Sequence, residues 1–139
     1  MRFKAQVSDV MTRDPVFSTP DATVESIAKM MAEANCGDVP ICENGKVLGI
    51  VTDRDITCRT VARGKAPAKT LAREVMTILP VIIEESASLA DAIAVMEAER
   101  VRRLPVVNRL GALVGVLSQV DIALRSSKRR AGELLAASS

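Results

Sequence analysis

The chain has 139 residues, of which 48% are hydrophobic and 26% are charged, and its formal net charge is +2. This composition is typical of a globular protein rather than a disordered one, and the small net charge gives no reason to expect a nucleic-acid or membrane partner. Histidine is absent and Phe3 and Phe17 are the only aromatic residues, which argues against histidine-based catalysis and against stacking on single-stranded nucleic acid.

One pattern of residues occurs twice along the chain. Val10-Met11-Thr12 recurs as Val75-Met76-Thr77, 65 positions later, and Gly49 recurs as Gly115, 66 positions later. The offset changes between these two matches, at a place where a turn is expected in each copy. A repeat whose spacing changes only at a turn indicates a structural duplication.

Each copy begins with a predicted strand and a predicted helix. Residues 16–18 and 81–83 are short apolar runs that follow a proline, and we expect each run to form a strand. Thr23 and Ser88 are predicted to be helix N-caps, because apolar residues recur after them at helical spacing. In the first copy, the helix is expected to end near Asn35-Cys36-Gly37, with Gly37 as its cap.

A hairpin and a second helix complete the copy. Residues 39–42 and 46–52 are predicted strands, and Asn44-Gly45 between them is a strong signal for a tight turn. Residues 53–63 are predicted to form a helix that ends at Gly64. The predicted fold class is therefore α+β, with two β-α-β-β-α repeats.

The boundaries of the duplication follow from these elements. We expect repeat 1 at residues 7–64, a linker at residues 65–71, repeat 2 at residues 72–127 and a polar tail at residues 128–139. About 60 residues in each repeat make only a small core, so the two repeats are expected to pack together and to share one core.

A hydroxyl residue and an aspartate follow the last predicted strand of each repeat. Thr52-x-x-Asp55 and Ser118-x-x-Asp121 place them three positions apart, where the strand leads into a helix. This spacing fits a capping box, in which the side chains only complete the helix N-terminus. It also fits a ligand site, because a carboxylate accepts charge-assisted hydrogen bonds from the hydroxyl groups of a sugar. Both interpretations stay open.

Proline occupies the same position in a predicted strand of each repeat. Pro40 and Pro105 have no N–H to donate to a sheet, so we expect them at a strand start or a sheet edge, beside a gap. In the first repeat, Val39, Ile41 and Ile50 would line this gap, which could accept a flat apolar ring.

Three motifs occur in both repeats: an aliphatic-Pro-aliphatic segment, a Gly-aliphatic-aliphatic-[Thr/Ser]-x-x-Asp segment and the sequence Val-Met-Thr. With these motifs the chain resembles the cystathionine-β-synthase (CBS) domain family, which usually occurs as tandem pairs. The resemblance covers residues 7–127. It implies two repeats packed with pseudo-two-fold symmetry in a stand-alone pair, so no enzyme activity, catalytic residue, metal or cofactor is expected. It also implies a regulatory module that binds AMP, ADP, ATP or S-adenosylmethionine in clefts between the repeats and signals by conformational change.

A second interpretation belongs to a different class of protein. The pair could be a structural interaction module whose clefts stay empty and whose exposed helices bind a protein target. In either case the resemblance implies a homodimer formed through helices, and a target protein remains to be identified.

The resemblance also indicates which residues would contact the ligand. Asp55 and Asp121 match aspartates that bind ribose hydroxyls, and Thr52 and Ser118 match hydroxyl residues near the ribose and the phosphate. The residues that match the walls of the adenine pockets are Val39, Pro40 and Ile41 in the first repeat and Leu104, Pro105 and Val106 in the second.

Three arginines are candidates for phosphate binding. Arg102 and Arg103 lie where relatives carry basic residues that reach the ligand phosphates, and a guanidinium group suits phosphate. The same pair could equally be a solvated helix end that complements the helix dipole. Arg54 could help to bind a phosphate in the first repeat, whereas its counterpart Gln119 is uncharged.

The two clefts are expected to be unequal. The residues of the first repeat that correspond to Arg102-Arg103 are Gly37-Asp38, and a carboxylate there should repel phosphate. The stronger phosphate site is therefore expected to join Thr52 and Asp55 to the arginine pair.

Membrane insertion and secretion are not expected. No apolar run approaches the roughly 18 residues that span a bilayer, and no apolar stretch typical of a secretory signal follows residues 1–6. We therefore expect a cytoplasmic protein. Cys36, Cys42 and Cys58 lack Cys-x-x-Cys spacing and are expected to be reduced thiols.

Overall fold

The computed structural model of the chain describes residues 5–78 and 81–125. These residues form a mixed α+β fold, which confirms the predicted fold class. In chain order the elements are β1 (Thr12–Arg13), α1 (Val24–Ala34), β2 (Asp38–Glu43), β3 (Lys46–Thr52), α2 (Asp53–Ile56), α3 (Ala72–Val75), β4 (Thr77–Ile78), β5 (Ile83–Glu84), α4 (Leu89–Glu99), β6 (Arg103–Val107) and β7 (Leu113–Ser118). A short 3₁₀ turn at Val7–Asp9 precedes β1, a π-helical segment at Thr57–Val61 continues α2, and residues 119–125 are helical after β7.

Both predicted N-caps of the longer helices are confirmed. The Thr23 hydroxyl accepts the Ser26 N–H at 3.1 Å at the start of α1. The Ser88 hydroxyl accepts the Asp91 N–H at 3.0 Å at the start of α4. Each hydroxyl therefore satisfies one of the N–H groups that a helix start leaves unpaired.

The hairpin of the first repeat and the end of the preceding helix are confirmed, but the residue that caps this helix differs from the prediction. β2 and β3 are antiparallel and are joined at Asn44 and Gly45, which both have positive φ angles of 53° and 76°. α1 ends at Ala34, beside the predicted end at residues 35–37, but the predicted cap at Gly37 is wrong, because Asn35 takes the left-handed cap conformation with a φ of 52°. Asparagine is the residue that most often replaces glycine in this role.

The segment that leads into each repeat pairs with strands of the other repeat. β1 runs antiparallel to β7, with Thr12 opposite Val116, and β4 runs antiparallel to β3, with Thr77 opposite Ile50. These pairings are equivalent, since Thr77 follows Thr12 by 65 positions and Val116 follows Ile50 by 66. Each repeat therefore gives its leading segment, residues 7–13 or 72–78, to the sheet of the other repeat. We call these two segments the exchanged segments.

The compact units of the fold reflect this exchange. Within the described ranges, one unit contains residues 5–13, 81–110 and 114–125, and the other contains residues 14–78 and 111–113. The strand orders are β1-β7-β6-β5 in the first unit and β2-β3-β4 in the second. The predicted tail at residues 128–139 lies outside the described residues, and the predicted domain boundaries stay predictions.

Each unit has its own hydrophobic core, so the expectation of one shared core is wrong. The buried residues of the first core are Val7, Met11, Ile83, Ala92, Met96, Leu104, Val106 and Leu117. Those of the second core are Val24, Ile27, Met31, Val39, Ile41, Val51, Ala72 and Val75. In each core, two residues come from the exchanged leading segment, so hydrophobic burial holds that segment in place.

One short strand was predicted before the first helix of each repeat. Only the strand of the second repeat forms, and only in part. The predicted strand at residues 81–83 is reduced to β5, which runs parallel to β6. The predicted strand at residues 16–18 is wrong, since a single bridge joins Ser18 to Ile41. Only Ser18 meets the backbone of β2 there, and Phe17 is exposed.

Glycine is required where each exchanged segment crosses its hairpin. A Cβ atom on Gly49 would lie 2.5 Å from the Thr77 carbonyl oxygen, and one on Gly115 would lie 2.8 Å from the Thr12 carbonyl oxygen. Real Cβ atoms do not approach backbone so closely. The repeated glycine therefore allows the close backbone contact.

Candidate functional site

The β3–α2 junction of the first repeat holds a reciprocal capping box. The Thr52 Oγ1 atom accepts the Asp55 N–H at 3.1 Å, and the Asp55 Oδ2 atom accepts the Thr52 N–H at 2.9 Å. The predicted helix-capping role of this pair is therefore confirmed. A ligand role stays open, because a capping carboxylate has further lone pairs that can accept hydrogen bonds.

Two residues that the sequence analysis did not select also contact the Asp55 carboxylate. The Thr77 hydroxyl donates to it at 3.2 Å from Oδ1, and the Arg59 Nε atom lies 3.9 Å from the same oxygen. Thr77 ends the repeated Val-Met-Thr, and Arg59 recurs as Arg125 in the second repeat. This recurrence is the signal that could have identified both residues. The carboxylate is consequently well enclosed, and Asp55 is only 8% exposed.

Arg59 also binds the backbone of the exchanged segment. Its Nη1 atom donates to the carbonyl oxygens of Val75 at 3.0 Å and Met76 at 3.1 Å. Val75 ends α3, and Met76 lies between α3 and β4. One guanidinium group thus links the Asp55 carboxylate to the segment that leads into the second repeat.

The β7 junction of the second repeat has the same capping geometry. The Ser118 hydroxyl accepts the Asp121 N–H at 3.0 Å, and the Asp121 Oδ2 atom accepts the Ser118 N–H at 3.1 Å. Asp121 is half-buried rather than buried. It borders a cavity of about 290 Å³ that is open to solvent and is lined by Asp9, Val10, Asp121, Leu124 and Arg125.

The residues predicted to form the adenine walls lie inside the fold. Val39 and Ile41 belong to the buried core of one unit, and Leu104 and Val106 belong to the buried core of the other. Their side chains share these cores with residues of the helix of their own repeat. The role of these residues as adenine walls stays a prediction.

The two prolines are buried within their strands, and only one lies at a sheet edge. Pro40 lies in β2, an edge strand of its sheet, and its carbonyl oxygen accepts the Ser18 N–H at 2.9 Å. Pro105 lies in β6, between β7 and β5, so the expectation of an edge strand is wrong for it. The pairing of β5 with β6 begins only at Val106, which leaves the position of Pro105 without a ladder partner on that side.

The arginine candidates fall into both units. Arg54 is exposed in the first turn of α2, close in sequence to the capping box. Arg102 is exposed, Arg103 is the first residue of β6, and the Arg102 carbonyl oxygen accepts the Gln119 N–H at 3.0 Å. The arginine pair therefore belongs to the unit of Ser118 and Asp121. Its predicted pairing with Thr52 and Asp55 stays a prediction.

The described residues contain neither a cluster of metal ligands nor a membrane-spanning helix. In the part of the chain that the structure describes, no group of three or more cysteine and acidic side chains could hold a metal ion. No helix in residues 5–78 or 81–125 has the length and apolar character needed to cross a bilayer. Burial raises the pKa of the Cys42 thiol, whereas Cys58 is exposed.

The sequence of the chain matches the CBS domain over residues 7–59 and again over residues 72–128. The chain belongs to the CBS domain family. The two matches make it a CBS pair, as its motifs and its repeated pairings indicated.

Named relatives of this CBS pair differ in length. It is 36% identical over 132 residues to the CBS domain-containing protein YhcV of Bacillus subtilis, over 94% of this chain and 93% of that protein. It is 34% identical over 117 residues, 84% of this chain, to the uncharacterized protein MK0525 of Methanopyrus kandleri, of which it spans only 60%. A match to the inosine-5'-monophosphate dehydrogenase of Thermoplasma acidophilum covers 84% of this chain and 22% of that enzyme, at 29% identity. The pair thus corresponds to a minor part of the enzyme.

Solved structures share the fold. The structure of Hypoxic Response Protein I with two coordinated zinc ions is 31% identical, has a TM-score of 0.76, and is matched over 86% of this chain and 97% of that one. The CBS pair of protein MJ0100, in complex with 5-methylthioadenosine and S-adenosyl-L-methionine, has a TM-score of 0.81 at 23% identity, over 91% and 99% of the two chains. CBSX2 in complex with AMP has a TM-score of 0.74 at 21% identity, over 90% and 98%. The last two likenesses concern the fold alone.

Proposed function

We propose that this CBS pair is a non-catalytic regulatory module that binds adenosine-containing ligands, with AMP and S-adenosylmethionine as the first candidates. Its ligand would favour one conformation of the pair, and a target protein in the cytoplasm would respond to that conformation. In each repeat, the capping hydroxyl and aspartate would bind the ribose, and at the Thr52–Asp55 site arginines would also bind the phosphate.

The observation that carries the proposal is the Asp121 carboxylate beside an open cavity. One of its oxygens accepts the Ser118 N–H, which fixes the orientation of the carboxylate at the helix start. A ribose diol offers two hydroxyl donors, and hydrogen bonds to a charged acceptor are stronger than those between neutral groups. The ligands present in the MJ0100 and CBSX2 structures support an adenosine compound as the occupant.

Calorimetry with AMP and with S-adenosylmethionine tests the proposal. Asp121→Ala should weaken the binding of the active ligand roughly ten- to a hundredfold, because it removes a charge-assisted contact. Asp91→Ala is the matched control, since Asp91 also lies three residues after a capping serine but is exposed on α4. It should leave affinity unchanged.

A failure of this test has a definite meaning. If neither compound binds, the pair would be the structural interaction module of the alternative hypothesis. If a compound binds and Asp121→Ala binds it as tightly as the natural chain, Asp121 serves only as a helix cap and the ligand occupies a site that does not use it.

We also propose that the CBS pair forms a homodimer. Two small repeats leave helical faces for a second copy to cover, and a symmetric dimer is the commonest assembly. Sedimentation at micromolar concentration should show a species of about twice 14.9 kDa. A monomer across that concentration range would contradict the dimer.

A further inference from the structure

The two repeats carry the same charged residues at equivalent positions but use them differently. Asp55 and Arg59 recur as Asp121 and Arg125, each 66 positions later. In the first repeat, Arg59 contacts the carboxylate and two backbone carbonyls. In the second, no hydrogen bond or ion pair joins Arg125 to another described residue, and its side chain lines the open cavity. Equivalent residues therefore form a closed site in the first repeat and an open site in the second.

The contacts of Arg59 close the first-repeat site. Hydrogen bonds from a guanidinium group to carbonyl oxygens are charge-assisted, and Thr77 adds a neutral donor to the same carboxylate. A ribose hydroxyl that approached the Asp55 carboxylate would compete with the hydrogen bond of Thr77 and with the ion pair of Arg59. The equivalent carboxylate of Asp121 has one oxygen committed to its capping contact and faces the cavity.

The backbone that carries Arg59 is itself unusual. Residues 57–61 form a π-helical segment, in which the Ala62 N–H bonds to the Thr57 carbonyl oxygen at 2.8 Å. Such segments are rare in proteins, and those that occur often lie at functional sites. Within the segment the Thr60 side chain is fully buried, and its hydroxyl has no hydrogen-bond partner among the described residues. A buried hydroxyl without a partner is destabilising, so Thr60 adds an energetic cost at the residue next to Arg59.

We infer that Arg59 is a latch that holds the first-repeat site closed and makes the second-repeat site the first to admit a ligand. The latch consists of the Arg59 contacts with Asp55, Val75 and Met76, together with the Thr77 hydroxyl. A ligand that takes the Asp55 carboxylate must displace Arg59 and Thr77 from it, which weakens the link between Asp55 and the exchanged segment at residues 72–78. Arg59 is thus a positioning residue that acts on ligand binding through Asp55. The ligand part of this inference rests on the proposed function.

Hydrogen exchange of the ligand-free protein tests the latch without any nucleotide. Arg59→Ala should raise the exchange rate of the amides at residues 72–78 roughly ten- to a hundredfold, as expected for the loss of charge-assisted bonds. The Met76 amide, which bonds to the Ala72 carbonyl oxygen, is the main reporter. Arg125→Ala is the matched control and should leave the exchange of residues 7–13 unchanged. Unchanged exchange in Arg59→Ala would overturn the latch.

Conservative variants cover the case in which Arg59→Ala does not fold. Arg59→Gln keeps one amide donor and should give intermediate exchange at residues 72–78. Arg59→Lys keeps the charge but lacks the planar fork of donors, so it should restore only part of the protection. Full protection in Arg59→Gln would show that the charge of Arg59 holds nothing in place and would overturn the inference.

The effect on binding is measured with AMP in an Asp121→Ala background, where only the first-repeat site remains. Adding Arg59→Ala should tighten AMP binding about tenfold, because a competitor for the Asp55 carboxylate is removed. Weaker or unchanged binding would show that Arg59 contacts the phosphate or is irrelevant, and either result would overturn the latch. If AMP does not bind even to the natural chain while exchange behaves as expected, the proposed function fails and the latch remains as a structural contact.

Discussion

Removing the Asp55 carboxylate should destabilise the ligand-free protein more than removing its counterpart Asp121. Asp55 accepts hydrogen bonds from the Thr52 N–H and the Thr77 hydroxyl and balances the charge of Arg59, whereas among the described residues Asp121 accepts only the capping N–H of Ser118. A capping contact contributes about 1 kcal/mol. The hydroxyl bond to a charged acceptor adds about 1.5–3 kcal/mol, and the half-exposed Arg59 pair adds at most about 1 kcal/mol.

Burial of the Asp55 charge offsets part of this gain, because a nearly enclosed carboxylate has lost most of its hydration. We therefore expect Asp55→Ala to lower the free energy of unfolding by about 2–3 kcal/mol, and Asp121→Ala by about 1 kcal/mol. Urea denaturation of both variants at pH 7 measures the difference directly. Thr77→Val should account for about 1–2 kcal/mol of the larger loss. Equal losses in the two aspartate variants would refute the reasoning, since the additional partners of Asp55 would then contribute nothing.

Two further predictions concern the backbone crossing and the thiols. Gly49→Ala should lower the free energy of unfolding by about 1–3 kcal/mol, because the new methyl group meets the Thr77 carbonyl oxygen and must push β4 away; a melt within about 0.5 kcal/mol of the natural chain would contradict the close approach. Between pH 7 and 9, Cys58 should react with iodoacetamide before Cys42, because Cys58 is exposed and burial raises the pKa of the Cys42 thiol, leaving less thiolate. Mass spectrometry of the labelled peptides gives the order, and equal rates would count against this account.

Features that depend on neighbouring residues were predictable from the sequence. The N-caps at Thr23 and Ser88 and the turn at Asn44-Gly45 each rest on local hydrogen bonding or on local φ preferences. The error at Gly37 is also local, because asparagine and glycine compete for the same left-handed position and the sequence does not rank them.

The exchange of leading segments could not be predicted in this way. The pairing of Thr12 with Val116 joins residues more than a hundred positions apart, and the same strand pattern would equally permit pairing within a repeat. The repeat indicated that the two leading segments pair in equivalent ways. It did not indicate which strand each segment pairs with, because that choice is set by burial in the two cores.

The sequence predicted two contacting residues at the candidate site, and the structure shows four residues joined by hydrogen bonds and an ion pair. Thr52 and Asp55 were selected because a capping box and a ribose site need the same spacing, and the capping contacts are present. Thr77 and Arg59 were missed, because one belongs to the other repeat in sequence and the other had no motif of its own. Both depend on tertiary contacts that bring residues 72–78 to α2.

The phosphate-binding arginines predict tighter AMP binding at the Asp55 site, whereas the latch predicts tighter binding at the Asp121 site. One calorimetric comparison distinguishes these two expectations. The sequence predicts that Arg102 and Arg103 strengthen phosphate binding at the Asp55 site, so Asp55→Ala and Arg103→Ala should each weaken AMP binding roughly ten- to a hundredfold, with a smaller loss for Asp121→Ala. The latch predicts the reverse, because AMP enters the open site at Asp121 while Arg59 still holds Asp55.

The loss of affinity in Asp121→Ala relative to Asp55→Ala therefore reports which contribution is larger, provided that both variants remain folded by circular dichroism. A greater loss for Asp55→Ala would mean that the phosphate charges outweigh the latch. Equal losses would refute any asymmetry between the repeats. Because Asp55 and Arg59 are tied to the first residues of the second repeat, a ligand that displaces these contacts is expected to loosen residues 72–78.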